Sequence, residues 1–178
     1  MAQQLLRKER SPANVLPSSP DNLKLSPGDW TSFIASLPQQ SSHTGLVGIA
    51  FGSENYVGDP VKNPYYIARV ATKVCAGIFK DWKLDDSDAE KMLAVDSRTW
   101  MRIKNGKWKG LLDHEVLVRI SAIIGIYKAL HSCFSDDLAD RWIKRPNTGR
   151  IFSGRKPVDV MIEEGLPVML ETRHYLAR

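Results

Sequence analysis

The chain is poor in the features that mark secreted and membrane-spanning proteins. It has only 2 cysteines, Cys75 and Cys133, and both lie in apolar runs with helical spacing. We expect both to be reduced thiols in the core, because the first ten residues, MAQQLLRKER, lack the apolar centre of a secretory signal. No run approaches the roughly 20 apolar residues that a membrane helix needs. We therefore expect a cytoplasmic protein that does not contact a membrane.

Patterns that carry catalysis are also missing. The 4 histidines are scattered, and His131 and Cys133 stand two positions apart, where helical side chains point to different sides. There is no Gly-x-Ser-x-Gly motif. The acidic group Asp85, Asp86 and Asp88 is better explained by the positive end of a helix than by metal binding. We expect no enzymatic activity, no cofactor and no metal.

Apolar residues at helical spacing are what the chain does have. Hydrophobic residues make up 43% of the 178 positions, enough for a packed core. From Asn63 onward they recur at i, i+3, i+4 and i+7, and no stretch has the alternation of a strand. The sequence predicts an all-α protein, a helical bundle that contains a helix-turn-helix and continues into a small C-terminal helical region.

Composition divides the chain into three segments. Residues 1–62 are rich in Pro and Ser, and we expect a flexible extension with one short amphipathic helix around Trp30. We expect residues 63–135 to form a helix-turn-helix domain and residues 136–178 to form the C-terminal region. The predicted helix from Asp113 to Phe134 is apolar on most faces, so we expect it to be buried on several sides, as the central helix of the domain or in a subunit interface. It is apolar on more faces than one small bundle can cover. We therefore expect a homodimer that uses this helix.

Residues 89–107 predict two short helices joined by a tight turn. Asp96 is a suitable N-cap for the second helix, and Trp100 and Ile103 then face inward at i, i+3. Ala94 occupies the turn position where glycine is common, and a positive φ there costs about 1 kcal/mol. The spacing is that of a helix-turn-helix, in which the second helix enters the major groove of DNA.

The outer face of that second helix is basic. No acidic residue occurs in residues 97–112, and the net charge of the whole chain is +5. We expect DNA contacts from five residues on or just after the helix: Arg98, Thr99, Arg102, Lys104 and Lys107. The alternative is a solvated basic face on an ordinary helical bundle.

The last segment, from Trp142 to Arg178, has an ordered succession of landmark residues. A Trp is followed by Pro-Asn, an aromatic residue, a Gly, a Pro-led apolar helix, a second Gly and a final short helix. The landmarks are Trp142, Pro146, Asn147, Phe152, Gly154, Pro157, Gly165, Val168 and Leu176. This succession resembles the toxin-binding region of the Xre/MbcA/ParS antitoxins, the partners of RES-domain toxins, and the helix-turn-helix lies upstream as in that family.

The resemblance, which covers about residues 64–178, implies a function. In that family this region clamps a RES-domain toxin that consumes NAD, and the extreme C-terminus blocks the toxin's pocket. It implies toxin contacts from the chain end, with a further basic and aromatic surface upstream: Arg173, His174, Tyr175, Leu176, Arg178, Arg150 and Phe152. We expect an antitoxin that binds a cognate RES-domain toxin and represses its own operon by binding operator DNA. The alternatives are a stand-alone transcriptional regulator whose C-terminal region only dimerises, and a structural adaptor.

Overall fold

The computed structural model describes residues 64–177, and every regular element in that range is a helix. The seven helices are α1 (Pro64–Asp81), α2 (Asp86–Leu93), α3 (Ser97–Lys104), α4 (His114–Cys133), α5 (Asp136–Trp142), α6 (Pro157–Glu164) and α7 (Leu166–Leu176). The all-α prediction is confirmed. The helix expected around Trp30 and the terminal Arg178 lie outside the described residues.

Helix α4 is the centre of the bundle. Its apolar side chains are buried on every side, and Ile120, Ile123, Ile126 and Leu130 are all 0% exposed. Helices α1, α2, α5 and α7 pack around it. Helices α5 and α7 of the same chain therefore cover faces of α4 that the sequence assigned to a second copy. A homodimer stays a prediction without that support.

By length and composition, α4 is the one helix in residues 64–177 that qualifies to cross a membrane, so the expectation that no run approaches this length was wrong. The mean hydropathy of its most apolar stretch is 1.4, and 56% of that stretch is buried inside the protein. Burial of this extent is typical of a core helix, which passes the same test. The absence of membrane contact stays a prediction.

One hydrophobic core runs through the described residues and crosses position 135. Phe79 and Trp82 of α1 belong to it, and so do Phe152, Val158 and Met169 from the C-terminal region. Residues 136–177 thus complete the core of the upstream helices instead of forming a separate one. Short helices such as α6 and α7 bury too little area to be stable alone, so this shared core holds them in place.

The two cysteines differ in environment. Cys75 is fully buried, and burial raises the pKa of its thiol, which keeps it protonated and unreactive. Cys133 is exposed, so the expectation that it lies in the core was wrong. It is the last residue of α4, where the helix leaves the bundle. Both are free thiols, as predicted.

Candidate functional site

A three-residue turn joins α2 to α3. Ala94 ends α2 in the left-handed region, with φ 55° and ψ 45°. Its N–H and that of Val95 donate to the carbonyl oxygens of Lys91 and Glu90, at 3.1 Å each. Ala94 therefore adopts the positive φ for which glycine is common at this turn position, and these bonds offset the strain of an alanine there. The turn is as short as those that join the two helices of DNA-binding pairs.

Asp96 fixes the start of α3. Its carboxylate accepts hydrogen bonds from the backbone N–H of Thr99 at 2.9 Å and from the Thr99 hydroxyl at 2.8 Å. These bonds, the backbone one first, hold the pKa of Asp96 below its ordinary value. The cap was predicted, but the engagement of the Thr99 hydroxyl by Asp96 was not. Thr99 was expected to contact DNA, and its hydroxyl donates to Asp96 instead.

Asp86, the first residue of α2, sets the position of α3 beside it. Its carboxylate accepts a hydrogen bond from Trp100 Nε1 at 2.8 Å and forms an ion pair with Lys104 Nζ at 2.7 Å. The contact with Lys104, followed by that with Trp100, lowers the pKa of Asp86. Ser97 adds a second link, since its hydroxyl donates to Glu90 of α2 at 2.8 Å. Lys104, expected to contact DNA, is held against α2 instead.

The outward face of α3 carries Arg98, Met101 and Arg102, and all three are exposed. The guanidinium of Arg102 lies 5.2 Å from the centre of the Trp108 ring, a cation–π arrangement that restricts its position. Lys107, just after the helix, is exposed as well. Met101 is 45% exposed and was not among the residues predicted to contact DNA. Its position one turn after Arg98 was the available indication that it lies on the same face of the helix.

The segment from Asn147 to Arg155 is a closed loop. The N–H of Asn147 donates to the carbonyl of Arg155 at 3.0 Å, and its own carbonyl accepts from Gly154 at 2.8 Å. The side chain of Asn147 also accepts from Gly149 N–H at 2.7 Å. Gly154 has φ 83°, a conformation that glycine adopts without strain. These bonds explain the Pro-Asn and Gly landmarks of the sequence.

Phe152, at the tip of this loop, joins the loop to the last helix. Its ring packs edge-to-face between Trp142 at 5.5 Å and Tyr175 of α7 at 6.1 Å. Its side chain is 1% exposed. Phe152 was expected to contact the toxin, and in this structure it lies underneath the surface. It positions Tyr175 instead.

Arg173 lies across Gly125, in the middle of α4. A Cβ atom added at Gly125 would come within 2.5 Å of Arg173 Nε and 2.7 Å of its Cδ. The guanidinium reaches Ser121 Oγ at 3.5 Å. Arg173 was also expected to contact a toxin, but its side chain serves to seat α7 on α4. The glycine in a long core helix was the available signal for such a close approach.

The outer face of α7 is exposed and partly apolar. His174 is exposed, Leu170 is 41% exposed and Tyr175 is 42% exposed. Arg150, at 94% side-chain exposure, extends from the loop to within 3.9 Å of Glu171 on the same face. Leu176 packs against the core, and Arg178 is outside the described residues. Of the predicted tail contacts, the structure therefore brings Arg150, His174 and Tyr175 together and adds Leu170.

Arg119 of α4 contacts both α2 and α7 beneath the surface of the protein. It is 8% exposed, and it donates to the carbonyl of Met92 in α2 at 3.1 Å. The same guanidinium pairs with Glu115 at 2.8 Å and approaches the sulfur of Met169 in α7 at 3.9 Å. A buried arginine with contacts to three residues on different helices or turns fixes the elements around it. Helix α2 and helix α7 are therefore attached to α4 at the same point.

Comparison with protein-family models, with curated proteins and with solved structures finds no match to this chain. Residues 64–177 also contain no group of three or more His, Cys, Asp or Glu side chains placed to hold a metal ion. The absence of a metal, of a cofactor and of enzymatic activity all stay predictions. The chemistry available at the two surfaces is that of cationic and aromatic recognition.

Proposed function

We propose that this chain is an antitoxin of a type II toxin–antitoxin system that binds and blocks a RES-domain, NAD-consuming toxin. The observation that carries the proposal is the outer face of α7, where Leu170, His174 and Tyr175 lie exposed beside Arg150. Aromatic and arginine side chains of this kind dominate the binding energy of protein interfaces. The order of landmark residues from Trp142 to Leu176 supports the same assignment.

The way α7 is held favours blocking by a rigid surface. Phe152 and Arg173 fix the helix from below, so His174 and Tyr175 enter a partner's site with little loss of conformational freedom. A pocket built for a dinucleotide phosphate attracts hydrogen-bond donors such as the guanidinium of Arg150 and the ring N–H of His174. We expect Arg178 to contact the toxin as well.

A second part of the proposal is autoregulation through DNA. Its support is the exposed, acid-free outer face of α3, with Arg98 and Arg102 one turn apart and Trp108 steadying Arg102. A capped helix start with arginines in the first two turns suits entry into the major groove. The alternative function, a stand-alone regulator that dimerises through α7, draws on the exposure of Leu170 and Tyr175.

The test is co-expression with the RES-domain protein encoded beside this chain's gene, scored by growth and by cellular NAD. We expect full-length protein to protect and a variant that lacks residues 174–178 to fail. The truncation begins after Arg173, so the contact with Gly125 is kept, but Tyr175 and Leu176 are removed. The unfolding midpoint of the truncated chain is therefore measured beside its protection, and a midpoint equal to that of the full chain shows that the loss comes from the binding surface. The matched control, Arg98→Ala with Arg102→Ala, should protect like the full-length protein.

Two outcomes would overturn the proposal. One is full protection by the truncated chain, which would move the binding surface away from the end of α7. The other outcome combines two observations. No RES-domain reading frame lies beside the gene, and light scattering reports a dimer that the Tyr175→Asp substitution dissociates. That second result would favour the stand-alone regulator.

A further inference from the structure

Met101 is an apolar side chain on a cationic surface. It is 45% exposed on the outward face of α3, one turn after Arg98 and next to Arg102. Residues at i, i+3 and i+4 of a helix lie on one face, so these three side chains form a single strip. The other polar groups nearby are engaged within the protein: Thr99 with Asp96, Lys104 with Asp86, and the Asn105 amide nitrogen with the Met101 carbonyl at 2.7 Å.

The chemistry of this strip matches the edge of a particular base sequence. In the major groove, arginine donates to O6 and N7 of guanine, whereas an apolar side chain contacts the C5-methyl group of thymine. No other base offers an apolar group there. Arg102, next to Met101 in the chain, is held over Trp108 at 5.2 Å. Met101 is flexible enough to adapt its thioether to a methyl group.

We propose that Met101 contacts the C5-methyl group of a thymine, and that the DNA site of this chain carries that thymine beside a guanine bound by Arg98 or Arg102. The inference rests on the proposed DNA binding of α3 and specifies which bases that helix distinguishes. Met101 is in this account a specificity-determining residue, and the arginines supply most of the affinity.

The experiment first selects binding sites for the full-length protein from a random duplex DNA library. The thymines of the selected site are then replaced one at a time by deoxyuridine, which removes only the methyl group and keeps the hydrogen-bonding edge. We expect one replacement to weaken binding by about four-fold, the fold-change that corresponds to one buried methyl group. The same replacement should not change the affinity of the Met101→Gln variant. It should weaken binding of the Met101→Leu variant as it does for the wild type.

A matched control is Leu138→Gln, since Leu138 is 44% exposed but lies on α5. This variant should keep the wild-type response to deoxyuridine, and both Gln variants should unfold at the wild-type midpoint. An equal response to deoxyuridine in wild type and Met101→Gln would overturn the inference while DNA binding stands. Failure of wild type to select any sequence would overturn the DNA-binding proposal itself, and this inference with it.

Discussion

The α2–α3 pair and the C-terminal region hold their exposed side chains in place by different means. In α2–α3 the links are polar and open to solvent: Asp86 and Lys104, which pair at 2.7 Å, each have 48% of their side chain exposed. In the C-terminal region the links are buried contacts, with Phe152 at 1% exposure and Arg173 fitted over Gly125. Exposed ion pairs contribute about 0–1 kcal/mol, whereas a buried phenylalanine contributes about 3–5 kcal/mol.

This difference shows which surface is built to be rigid. The outer face of α7 rests on packing that salt and pH hardly affect, as suits a tight protein–protein contact. Helix α3 is anchored in the core by Trp100 and Ile103, which are 3% and 1% exposed. Its exposed side chains depend more on charged groups that salt screens and acid neutralises. Both α2 and α7 are attached to α4 through Arg119, so the two surfaces share a support while differing in strength.

The largest effect is expected from Phe152→Ala. Removing a ring that is buried between Trp142 and Tyr175 should lower the free energy of unfolding by about 3–5 kcal/mol. Urea unfolding of the full chain measures it. Asp86→Asn is the comparison from the other region and should cost much less. A loss below about 1 kcal/mol for Phe152→Ala would show that the loop does not support α7.

The next effect concerns the basic face of α3. Arg98→Ala with Arg102→Ala should weaken DNA binding and reduce its salt dependence, lowering the slope of log K against log salt by about 1 for each phosphate contact that is lost. Because one of the two arginines is proposed to bind a guanine, we expect a total change of about 1. Gel-shift titrations with the selected duplex over a series of salt concentrations give this slope. Lys104→Ala should change it less, because Lys104 pairs with Asp86. Identical slopes for the wild type and the double variant would exclude this face.

Gly125→Ala tests the seat of α7. The added methyl group meets Arg173 at 2.5 Å, so the arginine must move, and we expect a net loss of about 1 kcal/mol in stability. In an Arg173→Ala background the same change should instead stabilise α4 by up to about 1 kcal/mol, because alanine is a better helix former than glycine. Equal effects in the two backgrounds would show that the contact has no energetic weight.

The smallest effect is the response of α2–α3 to acid. The pKa values of Asp86 and Asp96 are lowered in the folded state, so both carboxylates contribute stability that is fully present above their unfolded pKa, near 3.9. That contribution is lost as pH falls below about 4 through the folded values. Asp86→Asn with Asp96→Asn should make stability less dependent on pH in this range, as urea unfolding at pH 3 and pH 6 would reveal. An unchanged pH dependence contradicts the assignment.

The fold followed from the sequence to a large extent because its signals are local. The cap at Asp96, the positive φ at Ala94 and the proline that starts α6 are each decided by one or two neighbouring residues. Burial of α4 was also predicted. The helices that cover α4 were not predicted, because α5 and α7 follow it in the chain and sequence spacing does not show how they pack back onto it.

The candidate site was less predictable, because the partners of its side chains also come from distant parts of the chain. Thr99, Lys104 and Arg173 have the right chemistry for external contacts, yet each contacts another residue of this chain. The spacing of the sequence does not predict the partners of Lys104 and Arg173. Lys104 meets an aspartate 18 positions earlier, and Arg173 meets a glycine on another helix. Leu170 and Met101, which are exposed, have apolar side chains that favour burial in a sequence-based prediction.

The central claim is that the outer face of α7 blocks a NAD-consuming toxin, and inhibition of that toxin in solution tests it most directly. The purified full-length protein, or the His174→Ala with Tyr175→Ala variant, is titrated into the purified RES-domain protein while NAD consumption is followed. The account predicts tight inhibition by the wild type and inhibition at least about ten-fold weaker by the variant, since interface hot spots contribute 2 kcal/mol or more each. Equal inhibition by the two proteins, with equal unfolding midpoints, would contradict it.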